Sequence, residues 1–253
     1  MRSKTYAYKT RYRYRRKTVA IDPGRAFINA NAAGFFVIDG DFQEYPNKVP
    51  DTSDAMTLGS NAVGVDTNDP TIVEASGSFY AAADGADDYI QFPASCTPTF
   101  TATSGGYTVL ARVRRDGNGG GGTAAVIDAE STFARGLRVQ LSSGINPAAT
   151  VGGTGGFATD TATVTSTDQA FTVIGAVQDD GVLTLYNQIE GLGPTPVSTA
   201  SVGTIAFATP RAFSYAYTVG INATLDGSSF VFFQQALTEE EIDLVIEYLE
   251  TLI

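Results

Sequence analysis

From about residue 34 onward the chain is cut into short apolar or alternating runs, separated by clusters of Gly, Asp, Asn and Pro. Runs of this length, bounded by turn-forming residues, read as β-strands rather than helices. The candidates are residues 35–38, 78–82, 89–92, 107–114, 123–128, 135–141, 169–178, 182–187, 201–207, 212–221 and 228–234. Turn signals stand between them at Asp116-Gly117-Asn118-Gly119, Asp179-Asp180-Gly181 and Asp226-Gly227. So many strands at this spacing, with one helical segment, predict an all-β fold of two packed antiparallel sheets. No repeat of some 20–50 residues recurs, which argues against a propeller or a solenoid.

The one predicted helix closes the chain, over residues 239–253. Ile242, Val245, Ile246, Leu249 and Ile253 form one apolar stripe at helical period. Thr238 suits the N-cap, Glu241 completes a capping box, and Glu239 and Glu240 match the positive end of the helix dipole. Two glycine patches, 119–122 and 152–156, lack the helix start and the Lys or Ser/Thr of a phosphate-cradling loop. They read as mobile hairpin tips.

Composition narrows the chemistry. The chain has no histidine, which removes Ser-His-Asp and Cys-His catalysis, His-ligated metals and a histidine pH switch. Cys96 is the single cysteine, so neither an intrachain disulfide nor a cysteine zinc site can form. No apolar run approaches the roughly 18 residues of a membrane span. The cationic N-terminus lacks the apolar core and cleavage site of a secretory signal. The expectation is a protein made in the cytosol that does not enter a membrane.

Charge is split along the chain. Residues 1–17 carry Arg2, Lys4, Lys9, Arg11, Arg13, Arg15, Arg16 and Lys17, half of the 16 basic residues, and no acid. The rest sets the other eight cations against all 27 acids, a formal −19. Tyr6, Tyr8, Tyr12 and Tyr14 are interleaved with the cations, and within each pair an extended backbone puts both rings on one side. Extended, 17 residues reach roughly 55 Å. With so little apolar area to offset its ordering entropy, this segment is not expected to fold alone. Three roles stay open: a solubilising tail, docking on an acidic protein surface by charge and strand addition, and nucleic-acid binding with Arg and Lys on phosphates and Tyr on bases. The acidic body repels nucleic acid. The expected division is an extended arm and linker over residues 1–33 and a sandwich domain over 34–253.

Several motifs in order resemble the laminin G-like domains of the concanavalin A-like superfamily. Asp84-Gly85-Ala86-Asp87-Asp88-Tyr89-Ile90 is similar to that family's lead-in to a strand, and Tyr107-Thr108-Val109-Leu110-Ala111-Arg112-Val113 to another of its strands. Residues 171–177 with Asp179-Asp180-Gly181-Val182-Leu183-Thr184-Leu185-Tyr186-Asn187 resemble its hairpin. Leu225-Asp226-Gly227, Phe230-Val231-Phe232-Phe233 and Ala236-Leu237-Thr238-Glu239-Glu240-Glu241-Ile242 resemble its closing strand and helix start. The family's usual Trp and His in these strands are absent. The resemblance covers roughly residues 34–253. It implies a jelly-roll sandwich that binds glycans or proteins at its loops or concave face, as found in phage virion structural proteins.

Candidate site residues follow. Glu241-Ile242-Asp243-Leu244-Val245-Ile246-Glu247 has the letters of a family-16 glycosidase signature, but on a helix Glu241 and Glu247 differ by roughly 240° and cannot flank one sugar. No catalytic residue is expected. Asp84, Asp87, Asp88, Asp179 and Asp180 could ligate calcium, though Asp at such positions ordinarily starts turns. No other cofactor is expected. Phe213, Tyr215 and Tyr217 alternate as a sugar-stacking platform would, the plainer role being sheet core or subunit contact. The expectation that joins these readings is a non-enzymatic virion component: a capsid-decoration, head-fibre or tail protein present in many copies. Its arm (Arg2, Lys4, Tyr6, Tyr8, Lys9, Arg11, Tyr12, Arg13, Tyr14, Arg15, Arg16, Lys17) would anchor it to capsid or tail proteins, while its body holds surface glycans. The alternatives are a capsid-shell or internal protein whose arm binds the genome, and a free carbohydrate-binding or adhesion protein.

Overall fold

The computed structural model describes residues 21–59, 69–84, 87–115, 124–133, 135–142, 146–162, 170–193, 195–214 and 224–252. The basic segment 1–17, the 119–122 glycine run and Tyr215 and Tyr217 lie outside them. The chain opens with helix α1 (Pro23–Asn31) and strands β1 (Gly34–Val37), β2 (Glu44–Pro46), β3 (Ala55–Leu58), β4 (Thr71–Ala75), β5 (Ser78–Ala82) and β6 (Ile90–Gln91). It continues through β7 (Gly106–Arg115), β8 (Ala124–Glu130), β9 (Gly136–Ser142), β10 (Asn146–Gly153), β11 (Gly156–Thr161) and β12 (Thr172–Asp179). The last elements are β13 (Val182–Asn187), β14 (Gly191–Leu192), β15 (Val197–Ser198), β16 (Phe207–Ala212), β17 (Leu225–Phe233) and α2 (Glu239–Glu250).

The strands make the expected two antiparallel sheets. One runs β14-β13-β12-β7-β17-β5-β4, with β1 sharing an edge of β17 and β15 pairing β13. The other runs β11-β10-β9-β8-β16-β6-β3-β2. Between them lies the main core, in which Phe92 sits 4.7 Å from Phe232, 5.1 Å from Phe230 and 5.7 Å from Phe36, ring centre to ring centre. Tilted rings at these separations are a favoured aromatic packing.

A second core covers the outer face of the nine-stranded sheet. Phe35, Leu110, Val173, Val177, Val231 and Phe233 point away from the sandwich and pack with Ile28 of α1 and Ile242, Val245 and Leu249 of α2. Both faces of β7 and β12 are therefore buried, and these strands read as near-continuous apolar runs instead of alternating ones. Helix α2 has the predicted stripe and a complete capping box: Thr238 N donates to Glu241 Oε2 at 2.9 Å, and Glu241 N to Thr238 Oγ1 at 3.3 Å.

Helix α1 is a departure from the expected extended linker through residue 33. Asp22 caps it by accepting from Gly24 N at 2.9 Å and Arg25 N at 3.1 Å, and Pro23 fills the first turn, where its missing N–H costs nothing. Gly24 lets α1 press on α2, since a Cβ there would fall 2.0 Å from Leu244 O and 2.8 Å from Tyr248 Cβ.

Other expectations shift as well. Residues 201–207 are not a strand apart from Phe207, which opens β16. Asp226-Gly227 is not a turn but a bulged stretch of β17, where a Cβ on Gly227 would lie 2.7 Å from the Phe230 ring and 2.8 Å from that of Phe213. The patch at 152–156 is a hairpin tip whose backbone is tied down: Thr154 N donates to Thr204 O at 3.0 Å and Gly155 N to Val202 O at 2.7 Å. The Asp180-Gly181 turn is as predicted, both residues having positive φ, 38° and 86°.

Candidate functional site

The helix layer covers part of the sheet it lies on. Along β7 the outward side chains are Thr108, Leu110, Arg112 and Arg114. Thr108 Oγ1 accepts from Leu237 N at 3.0 Å and Leu110 packs under the helices, so this end is sealed. The outward residues then turn cationic. Arg112 lies at the helix border, and Arg114 beyond it ion-pairs with Asp226 of β17, Nε to Oδ2 at 2.5 Å.

Aromatic rings flank these arginines, Phe171 just before β12 and Tyr80 on β5. The guanidinium of Arg112 stands 4.5 Å from the centre of the Phe171 ring, and that of Arg114 stands 4.5 Å from Tyr80 and 4.9 Å from Phe171. Arg112 Nη1 also donates to Ser228 Oγ at 2.8 Å. Stacking and hydrogen bonding together hold both planes.

A groove follows this border. Its smaller end, about 310 Å³, is lined by Phe79, Tyr80, Arg112, Arg114, Phe171 and Ser228. Phe79, Ser78 and Leu252 also line the larger end, about 470 Å³, with Arg25, Phe35, Lys48 and Tyr248. Arg25 lies 5.0 Å from the Phe35 ring centre and donates to Lys48 O at 2.8 Å. Lys48 pairs with Asp39 at 2.7 Å. Half of the eight cations outside the arm thus meet in one groove of an acidic body. Among the described residues, neither Arg25 nor Arg112 has a carboxylate within 4 Å. Burial lowers the pKa of Arg112, with Glu250 acting against that and Arg114 adding to it. Burial opposes the charge of Arg114 too, but Asp226 outweighs it and raises that pKa.

The groove was not among the sequence candidates. Part of its signal was there: after the apolar start of β7, Arg112 and Arg114 recur at period two, which puts both on one face and Arg115 on the other.

The sequence candidates fare differently. Phe213 is fully buried with positive φ, edge-on to Phe230 at 6.3 Å, so it belongs to the core and offers no ring face to a sugar. Asp84, Asp87 and Asp88 do come together, one carboxylate oxygen from each lying within 4.8 Å of the others. Asp88 is buried and accepts from Asp84 N at 2.7 Å; burial first, then the charges of Asp84 and Asp87, push its carboxyl up to about 6. Three such oxygens are part of the six to eight or so that calcium takes. Asp179 and Asp180 do not join them. They turn the β12–β13 hairpin beside the start of β7, where Asp180 Oδ1 accepts from Gly105 N at 3.0 Å, whereas Asp84 follows β5 near the far end of β7.

Glu241 and Glu247 lie on α2 as the periodicity predicts, and Glu241 is occupied in the capping box. Two further carboxylates, Asp128 and Glu130, alternate on β8. Both are fully buried, and Glu130 Oε2 lies 3.5 Å from Arg138 Nη1.

No family model matches the chain, and no curated protein matches it by sequence. Solved structures do match in fold. The binding domain of botulinum neurotoxin serotype D superposes with a TM-score of 0.64 at 14% identity, over 89% of this chain and 53% of that one. The serotype D ligand-binding domain in complex with N-acetylneuraminic acid gives 0.60 at 13%, over 89% and 52%. The receptor-binding domain of the mosaic serotype C/D gives 0.61 at 11%, over 87% and 51%. This chain spans about half the length of those domains, and the likeness is one of fold.

Proposed function

We propose that this protein is a non-enzymatic recognition module of a virion, a laminin G-like sandwich that holds surface glycans in the Arg–aromatic groove while its basic N-terminal segment attaches it to capsid or tail proteins. The observation that carries this reading is the groove: a concave, partly apolar site on a rigid sheet, lined by fixed polar donors. The fold neighbours, described as ligand- and receptor-binding domains, support recognition over catalysis. So does the use of Glu241 in a helix cap. Many copies on one particle raise weak single-site affinity by avidity.

The groove reading is tested on a glycan array with the full chain, where binding is expected and is weakened in Tyr80→Ala. An array with no binder refutes it. The anchoring reading is tested by co-sedimentation with virions after deletion of residues 1–17, which is expected to abolish association; undiminished association refutes it. A genome-binding arm predicts instead a nucleic-acid affinity that falls steeply with salt, a log–log slope of about −7 if all eight cations of the arm neutralise phosphates.

A further inference from the structure

Arg112 carries a burial cost that no ion pair among the described residues offsets, Glu250 acting on it only from beyond 4 Å. It is 9% exposed, yet among the described residues its side chain makes a single hydrogen bond, to the neutral Ser228 hydroxyl, and no ion pair. Its neighbour Arg114 is neutralised by Asp226. A guanidinium has five N–H donors in one plane, and a desolvated one is stabilised far more by an anion than by another hydroxyl. Here the plane is fixed against Phe171 and the side chain lines the cavity, so the donors are pre-positioned for a planar, two-oxygen acceptor.

We infer that the smaller end of the groove takes an acidic sugar, whose carboxylate is received by Arg112. The inference rests on the glycan-binding reading and names the class of glycan. About 310 Å³ suits one sugar ring. Tyr80 and Phe171 supply apolar surface beside the ring. The charge balance selects among anions: a body at −19 repels a polyanion such as nucleic acid or a heavily sulfated chain, and repels a single carboxylate least.

The test is calorimetric titration of the full chain with 3′-sialyllactose, a glucuronic-acid-terminated disaccharide, lactose, and the methyl ester of 3′-sialyllactose. The acids are expected to bind at least tenfold more tightly than lactose or the ester. Arg112→Gln should remove that preference and Arg112→Lys keep part of it. The ester comparison needs no variant, and in the wild type the Arg112 Nε–H resonance should shift with the acid and not with the ester. Equal binding of acid and ester overturns the inference, as does a preference that survives Arg112→Gln or an unmoved Arg112 resonance. In each case glycan binding on the array leaves the broader reading standing, whereas a silent array removes both. Tighter binding of heparin than of the monoacidic sugars also overturns it.

Discussion

Arg112 and Phe171 are locked together on the outer face of the nine-stranded sheet, the guanidinium carbon 4.5 Å from the ring centre. Arg114 shares the same ring at 4.9 Å, so one aromatic residue orients two cations. Cation–π contacts of this kind are worth about 0.5–2 kcal/mol depending on desolvation. Phe171→Ala is therefore expected to weaken glycan binding about twofold to thirtyfold. Because Phe171 is half-buried at the border and not in either core, the melting temperature should move little. Unchanged affinity would show that the ring does not position the arginines.

The close approach of α1 to α2 depends on Gly24. Its missing side chain leaves room for the Leu244 carbonyl, which does not yield. Gly24→Val should lift α1, with a cost of about 1–3 kcal/mol typical of overpacking. Amide exchange in residues 24–31 should accelerate far more than exchange in β7. Arg25 would lose its place over Phe35 and Tyr248, and the larger end of the groove would open. Uniform, unaltered exchange would contradict this packing.

Asp88 gives a pH dependence with a definite sign. Its folded pKa, about 6, lies above the ordinary 3.8, so between these values the folded state holds a proton that the unfolded chain lacks. Protonation thus favours folding: the contribution of this group grows as pH falls from 6 toward 4 and is absent above 6. The difference in melting temperature between the wild type and Asp88→Asn should follow that window, the variant lacking the pH-dependent increment. A flat difference would contradict it. The same curves read the calcium expectation, since a cation held by Asp84, Asp87 and Asp88 raises the melting temperature at pH 7 in the wild type and not in Asp88→Asn.

Phe213 separates core from platform. As a fully buried ring against Phe230 and Gly227, its truncation to Ala should cost about 3–5 kcal/mol of folding stability by chemical denaturation. A binding platform would instead lose glycan affinity with stability intact.

Much of the architecture was legible in the residues, because strand period, turn chemistry and helix capping are local. The Asp180-Gly181 turn, strand β13 and the Thr238–Glu241 box stand where the sequence puts them. Helix α1 was hidden by its length, nine residues, and by the apparent continuity of a basic leader, although Asp22-Pro23 is a good cap and first turn. Strand β10 carries Pro147, Ala148 and Ala149 near its start and ends on two glycines, residues of low strand propensity that are held by β9 and β11 on either side. Asp226-Gly227 looks like a turn in isolation; only the rings of Phe213 and Phe230 show that the glycine serves close packing inside a strand. The groove was illegible for another reason. Tyr80, Arg112, Phe171 and Ser228 come from four separate stretches, and no local pattern announces that β5, β7, the start of β12 and β17 lie side by side.

The Arg112 side of this sheet is proposed as the ligand-reading surface. A crystal structure of the full chain with 3′-sialyllactose tests it most directly. The prediction is a sugar ring against Tyr80 with its carboxylate on Arg112. Sugar bound elsewhere with this groove empty, at a concentration that saturates the protein in solution, would contradict it.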